Sequence, residues 1–427
     1  MAIDSSRDFT RRRFLGTTAL GAGAAAADMT VLNALKSPVL ADELKQQDKR
    51  VILLWLAGGA SQFETWDPKP GAPTGGPFAR ISTNVPGIEV CELLPKLAQR
   101  MQHTAVIRSL NTRIADHGGG YKLMETGRRP ETGVEFPHLG ALVARELGRI
   151  DSQVPDHVSM YTSTEGRRKG TPGFLGARYG EMFLTENTMP ENIRRLESIS
   201  SDDHADRAAL RKLLADRFAR DVPSSSVNSQ NSAYERVRGL MASDHLFDIE
   251  QEPTSMRDMY GPTQLGQQCL IARRLIEAGT PFVKVARAWW DSHGQNFETH
   301  RELCADLDHS MSALLDDLAN RGLLESTLVI TLGEFGRTPN INGSLGRDHF
   351  ANAWSCSLSG CGVKGGTAYG KTDENGQTVV EGETGAGDLF ATIFSALGVE
   401  YDKEYMLGSR PIPLSDFGSE PIEAVLA

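Results

Sequence analysis

Val51-Ile52-Leu53-Leu54-Trp55-Leu56 is an unbroken apolar run of strand length. A strand apolar on both faces suits the interior of a parallel sheet covered by helices on each side. Runs of the same kind recur at Thr104–Ile107, His157–Tyr161, Pro281–Val285 and Thr327–Thr331. Between them, apolar residues spaced by three and four predict helices over His138–Leu147, Ala205–Val222, Gln264–Ala278 and Arg301–Asn320. A final helix is expected over Ala386–Gly398, closed by its glycine. Strands alternating with helices give an α/β fold, a three-layer sandwich around a mostly parallel central sheet. The polar stretch at about 165–260, broken by Pro223-Ser-Ser-Ser226 and Asn228-Ser-Gln-Asn-Ser232, reads as a helical insertion or cap on one edge.

Composition narrows the class. At 40% hydrophobic and 23% charged, the 427 residues carry enough apolar mass for one large core and too many charges for a multi-span membrane protein. The net charge of −10 argues against nucleic-acid partners, which need clustered Lys and Arg. Five cysteines without a CxxC pair indicate neither a thiolate zinc site nor a disulfide framework.

The N-terminus carries an address. Thr10-Arg11-Arg12-Arg13-Phe14-Leu15 fits the twin-arginine pattern, Gly16–Ala27 is weakly apolar, and Val39-Leu40-Ala41 offers a small-x-Ala cleavage site. The apolar run falls well short of the roughly 20 residues a spanning helix requires, so no stable membrane span is expected. The expected layout is a signal peptide over 1–41 and a linker over 42–49. A single α/β domain over 50–417 carries the insertion, and a C-terminal tail covers 418–427. The mature protein is expected in the periplasm or outside the cell, delivered by the twin-arginine translocase.

Polar clusters follow directly on the apolar strands: Gly58–Asp67, Asp116-His117-Gly-Gly-Gly120, Trp289–His300, Gly333–Arg337 and Gly346-Arg347-Asp348-His349. In a parallel sheet the carboxyl ends share one edge, where ligands bind. These acids and imidazoles are therefore expected to meet in space. Asp67, Asp291, His293, Glu334, Asp348 and His349 are oxygen and imidazole donors suited to divalent metals, with His117 a further ligand or a catalytic group. The donors suffice for one or two ions, two such ions lying roughly 3.5–4 Å apart in phosphoryl-type sites. Arg337 and Arg347 either grip an anionic substrate group or neutralise neighbouring acids. His300 either joins the site or caps a helix. Ser61 sits after a strand, but Gly58-Gly-Ala-Ser-Gln62 does not match the G-x-S-x-G elbow.

At Trp55–Pro70, Trp290-Asp-Ser-His293, Leu332-Gly-Glu-Phe-Gly-Arg-Thr-Pro339 and Gly346–His349 the chain resembles the exported bacterial family termed domain of unknown function 1501, within the alkaline-phosphatase and sulfatase-like superfamily. Gly362–Gly366 and Asp388–Ile393 extend the match over nearly the whole mature chain. The resemblance implies an alkaline-phosphatase-like fold with one or two divalent metals at the carboxyl edge of the sheet. It places His349 at a metal histidine, and the Asp291–His293 region at an Asp-x-x-x-His element whose spacing is shorter here. Glu334 follows the strand that ends in an Asp-His pair in the wider superfamily. Sulfatases carry C/S-x-P-S-R followed by Leu-x-Thr-Gly. Leu123-Met-Glu-Thr-Gly127 resembles the second half, but His117 stands at the nucleophile position, so ordinary formylglycine chemistry is not expected.

The expected function is a metal-dependent hydrolase of phosphate or sulfate esters. Zinc, manganese, iron, magnesium and calcium are all open as the metal. The expected substrate is an anionic ester, with a sulfated or phosphorylated polysaccharide among the options. His117 would bind metal, protonate a leaving group or accept the transferred group. The competing reading is a catalytically silent binding protein on the same scaffold.

Overall fold

Strand β1 (Arg50–Leu56) divides its side chains between two cores: Val51, Leu53 and Trp55 face one, while Ile52, Leu54 and Leu56 face the other. The computed structural model describes residues 48–149, 152, 154–163, 167–185, 196, 198–221, 234, 237–239, 241 and 243–427. The twin-arginine segment and both Ser-rich breaks of the insertion lie outside them.

The other strands of the main sheet are β2 (Thr104–Leu110), β3 (His157–Tyr161), β4 (Met182–Leu184), β5 (Phe282–Arg287), β6 (Thr327–Leu332), β7 (Trp354–Gly360) and β8 (Thr367–Tyr369). Their spatial order is β8-β2-β7-β6-β1-β5-β3-β4, and only β7 runs against the rest. The helices that matter here are α1 (His117–Thr126), α2 (Leu139–Leu147), α3 (Ser201–Asp221), α4 (Gln264–Glu277), α5 (Asn296–Asn320) and α6 (Ala386–Ala396). Buried residues of α1, α2 and α6 pack on the Val51/Leu53/Trp55 face, and those of α4 and α5 pack on the opposite face. The expected three layers result. Truncating a central residue such as Leu54 to Ala would cost about 2–5 kcal/mol, because its neighbours collapse only partly into the void.

Several elements escape sequence reading for a physical reason. β7 is Trp354-Ser-Cys-Ser-Leu-Ser-Gly360, whose buried hydroxyls meet partners across the sheet: Ser357 with Thr331 at 2.7 Å and Ser359 with Thr104 at 2.9 Å. Such pairing makes polar residues admissible in a core strand and erases the apolar pattern. The insertion is not purely helical, since β4 lies within it and extends the sheet beside β3. The stretch 418–427 is not a free tail: Val425 is buried and Leu426 bridges to Val363. Among the described residues no helix is long and apolar enough to cross a membrane.

Candidate metal centre

The loops after β2, β5 and β6 open on the carboxyl edge and carry the side chains of one polar cluster, to which the loop after β1 adds the Gly58 N–H. His117 is the first residue of α1, whose preceding Asp116 accepts from Gly119 N at 2.7 Å and so caps the helix. Gly120 lets α1 rest on the β6 loop, because a Cβ there would lie 2.9 Å from Glu334 O. Gly58, at φ 107°, does the same for the β5 loop: a Cβ would lie 2.4 Å from Asp291 N. A two-residue antiparallel ribbon pairs Arg337 with His349 and brings the 346–349 segment to the same place.

The donor geometry is unusual. His349 Nδ1 lies 2.9 Å from Ala115 O, His293 Nδ1 lies 2.7 Å from Asp348 Oδ1, and His117 Nδ1 lies 2.9 Å from Glu334 Oε1. Carbonyl and carboxylate oxygens only accept, so these partners assign the N–H of each neutral ring to Nδ1 and leave Nε2 as a lone pair. The three Nε2 atoms then face acceptors. His117 Nε2 is 3.0 Å from Asp291 Oδ2, His349 Nε2 and His293 Nε2 are each 3.1 Å from Asp291 Oδ1, and the last two are 3.0 Å apart. One ligand atom from each of His117, Asp291 and His349 falls within 4.8 Å of the others. Lone pairs aimed at one another need a proton or a cation between them. Imidazoles whose far nitrogen donates to a carboxylate or carbonyl are the usual arrangement around a bound metal. Glu334 also keeps spare acceptor capacity. Its Oε1 accepts from Gly58 N at 2.9 Å, while its buried Oε2 has no hydrogen-bond partner. These residues therefore fit a divalent cation.

Protonation responds to the same crowding. Hydrogen bonds to Asp291 and then to Glu334 push the His117 imidazole up to about 9, against the opposing effect of its partial burial. Partial burial favours the neutral acid at Asp291, but its neighbours His117, His349 and Arg337 hold its carboxyl far below the usual range. The hydrogen bond from His293 lowers Asp348 as well. Phe335, fully buried, floors the centre with its ring 4.3 Å from that of His349 and 5.1 Å from that of His117.

Other expected site residues lie elsewhere or are committed. Asp67 does not join the cluster: its oxygens are taken by Lys69 at 2.9 Å and Thr372 at 2.5 Å, with Arg108 at 3.9 Å. Arg347 is completely buried, bonded to Glu64 at 3.0 Å and to the carbonyls of Thr74, Thr338 and Pro339. It ties loops together and presents nothing to a substrate. Arg337 is likewise buried and committed to the carbonyls of Gly58, Gly59 and Arg347 and to Asp291 Oδ1 at 2.6 Å, so it fixes Asp291. His300 is buried and accepts from Ser61 N at 2.9 Å; burial pushes it down to about 4, which keeps it neutral. Ser61 is buried with it. Sequence reading missed Asn342, which donates to His293 O at 2.9 Å, and the Ala115 carbonyl, since neither has a chemistry-bearing signature.

An α/β sandwich with an imidazole–carboxylate centre at its carboxyl edge is thus the class of protein defined by fold and site. The chain belongs to the family described as Protein of unknown function (DUF1501), whose pattern matches residues 48–426. No curated protein matches the sequence. Among solved structures, a sulfatase from Pseudoalteromonas sp. is 12% identical, with 87% of this chain and 71% of that one covered at a TM-score of 0.40. The phosphonate monoester hydrolase of Agrobacterium radiobacter is 13% identical over 88% and 78% at 0.37. A protein in the alkaline phosphatase superfamily from Vibrio parahaemolyticus is 13% identical over 82% and 66% at 0.32. These likenesses concern the outline of the fold and carry no residue roles.

Proposed function

We propose that this protein is a divalent-metal-dependent hydrolase of phosphate or sulfate esters. The observation that carries the reading is the convergence of three imidazole Nε2 lone pairs on one carboxylate, each ring anchored through Nδ1. His117, His293, His349 and Asp291 would hold the cation. When bound, a divalent cation supplies charge opposite to the anionic ester and polarises an ester oxygen. Glu334 and Asp348 orient His117 and His293, and Arg337 holds Asp291 in place. The side-chain partners of the four proposed ligands are imidazoles, carboxylates and an arginine, which favours water over a serine or cysteine as the attacking group. The test is elemental analysis of protein purified without chelators, followed by a panel of aryl phosphate and sulfate esters. Metal at about one ion per chain with turnover that His349→Ala abolishes is the expected result.

The second reading, a metal-holding binding protein without hydrolysis, draws on the internal commitment of Arg337 and Arg347, which leaves neither guanidinium for an anion. Bound metal with no turnover of any ester would favour it. We also propose export by the twin-arginine translocase, on the strength of Thr10–Leu15. Replacing Arg11, Arg12 and Arg13 by Lys should then retain the precursor in the cytoplasm.

A further inference from the structure

Four non-glycine residues among those described hold left-handed backbones: Arg113 at φ 60°, Trp289 at 78°, Gln295 at 49° and Leu345 at 56°. All four lie in the loops that carry the metal centre. Such conformations are uncommon, most of all for bulky side chains, and cost of order 1–3 kcal/mol each. Trp289 is the sharpest case. It stands two residues before Asp291, between the buried Ala288 and Trp290, and Trp290 N is tied to Ala57 O at 3.1 Å. A glycine would make this turn without strain. The indole does not recover the cost by packing, since 56% of it is exposed. The other four tryptophans, Trp55, Trp66, Trp290 and Trp354, are at most 2% exposed.

We propose that Trp289 is a stacking platform for a sugar ring of the substrate, whose anionic ester group sits in the neighbouring centre. This rests on the reading of the centre given above and extends it to a substrate class. A pyranose is apolar on its C–H face and polar around its edge. The indole supplies a flat, polarisable face of matching size. Gln295, at the far end of the same loop, is exposed as well and offers an amide to polar groups. A scattered surface apolar residue needs no explanation. A tryptophan held in a strained backbone and exposed two residues from a proposed metal ligand does.

The burial contrast provides the assay, because acrylamide quenching of tryptophan fluorescence in the Zn2+-loaded full chain reports Trp289 almost alone. The probes are one disaccharide in plain, sulfated and phosphorylated forms, with inorganic sulfate and phosphate as controls. An esterified disaccharide should shield the indole while the inorganic ions do not. W289G should bind that disaccharide about tenfold more weakly, W289F should recover part of the loss, and inorganic-ion binding should not change. The melting temperature of W289G should stay the same or rise, since glycine adopts this φ freely. If no disaccharide shields the indole, or if W289G binds it as the wild type does, the platform is overturned. If the plain disaccharide shields it but no anion binds in the wild type, the platform stands and the ester-hydrolase reading fails.

Discussion

Two groups of charged residues, one inside the sandwich and one at its edge, are built on opposite rules. In the interior, Lys284 and Glu125 are 2% and 3% exposed and directly paired, and the Lys284 ammonium also lies 3.3 Å from the Tyr121 hydroxyl and 4.8 Å from the Trp55 ring centre. Arg347 and Glu64 form a second buried pair. There each donor meets an acceptor, and Lys284 holds the Glu125 carboxyl well below its usual range despite burial. At the edge, three imidazole lone pairs and a carboxylate face one another. The interior pairs set each cation directly against a carboxylate and hold the scaffold together. The edge cluster crowds three imidazole Nε2 atoms around a carboxylate held by Arg337, and the proton it carries on His117 is the one a cation would displace.

The largest effect should come from breaking an interior pair. Lys284→Met alone leaves Glu125 buried with only His138 beside its carboxylate, and urea unfolding should show a loss of about 3–5 kcal/mol. Lys284→Met combined with Glu125→Leu should regain most of that. At the edge the outcome should invert. His349→Ala should weaken Zn2+ binding by more than about 100-fold while costing the metal-free fold about 1 kcal/mol or less, as titration calorimetry and urea unfolding would measure. A smaller loss is expected where the change touches only an orienting group: Glu334→Gln and Asp348→Asn should each weaken metal binding by about 10–100-fold.

Acidity sharpens the contrast further. Cation binding must displace the His117 proton, so affinity should fall by up to about tenfold per pH unit below the His117 value of about 9. The metal-free fold responds with the opposite sign. Because the folded value lies above the ordinary 6.5, the stabilisation from His117 is full below that value and disappears as pH rises through about 9. Unfolding midpoints with and without metal across this window would check both slopes. The smallest effect belongs to Asp67→Asn, which should cost about 1 kcal/mol through its lost charge on Lys69 and leave metal affinity unchanged.

Much of this organisation could be read from residue order. Val51–Leu56 announced a doubly covered strand, and the rule that carboxyl ends share an edge was enough to bring Asp291, His293, Glu334, Asp348 and His349 together. The same rule misplaced Asp67, because eleven positions beyond β1 the chain has turned away to meet Lys69 and Thr372. It also could not tell an arginine facing solvent from one sealed by carbonyls, as Arg337 and Arg347 are. Helix α1 was hidden by Gly118, Gly119 and Gly120, which spoil helix propensity, although Gly120 is what lets the helix reach Glu334. Nor does residue order record tautomers. Only the Nδ1 partners separate the groups that would hold a cation from those that would orient them.

The most direct test is a crystal structure of the full chain grown with Zn2+, with anomalous differences measured on both sides of the zinc edge. A single strong peak within about 2.0–2.2 Å of Nε2 of His117 and His349 and of an Asp291 oxygen, with His293 Nε2 turned towards it, is the expected result. No peak among these atoms, or zinc held instead around Asp67, would contradict the account.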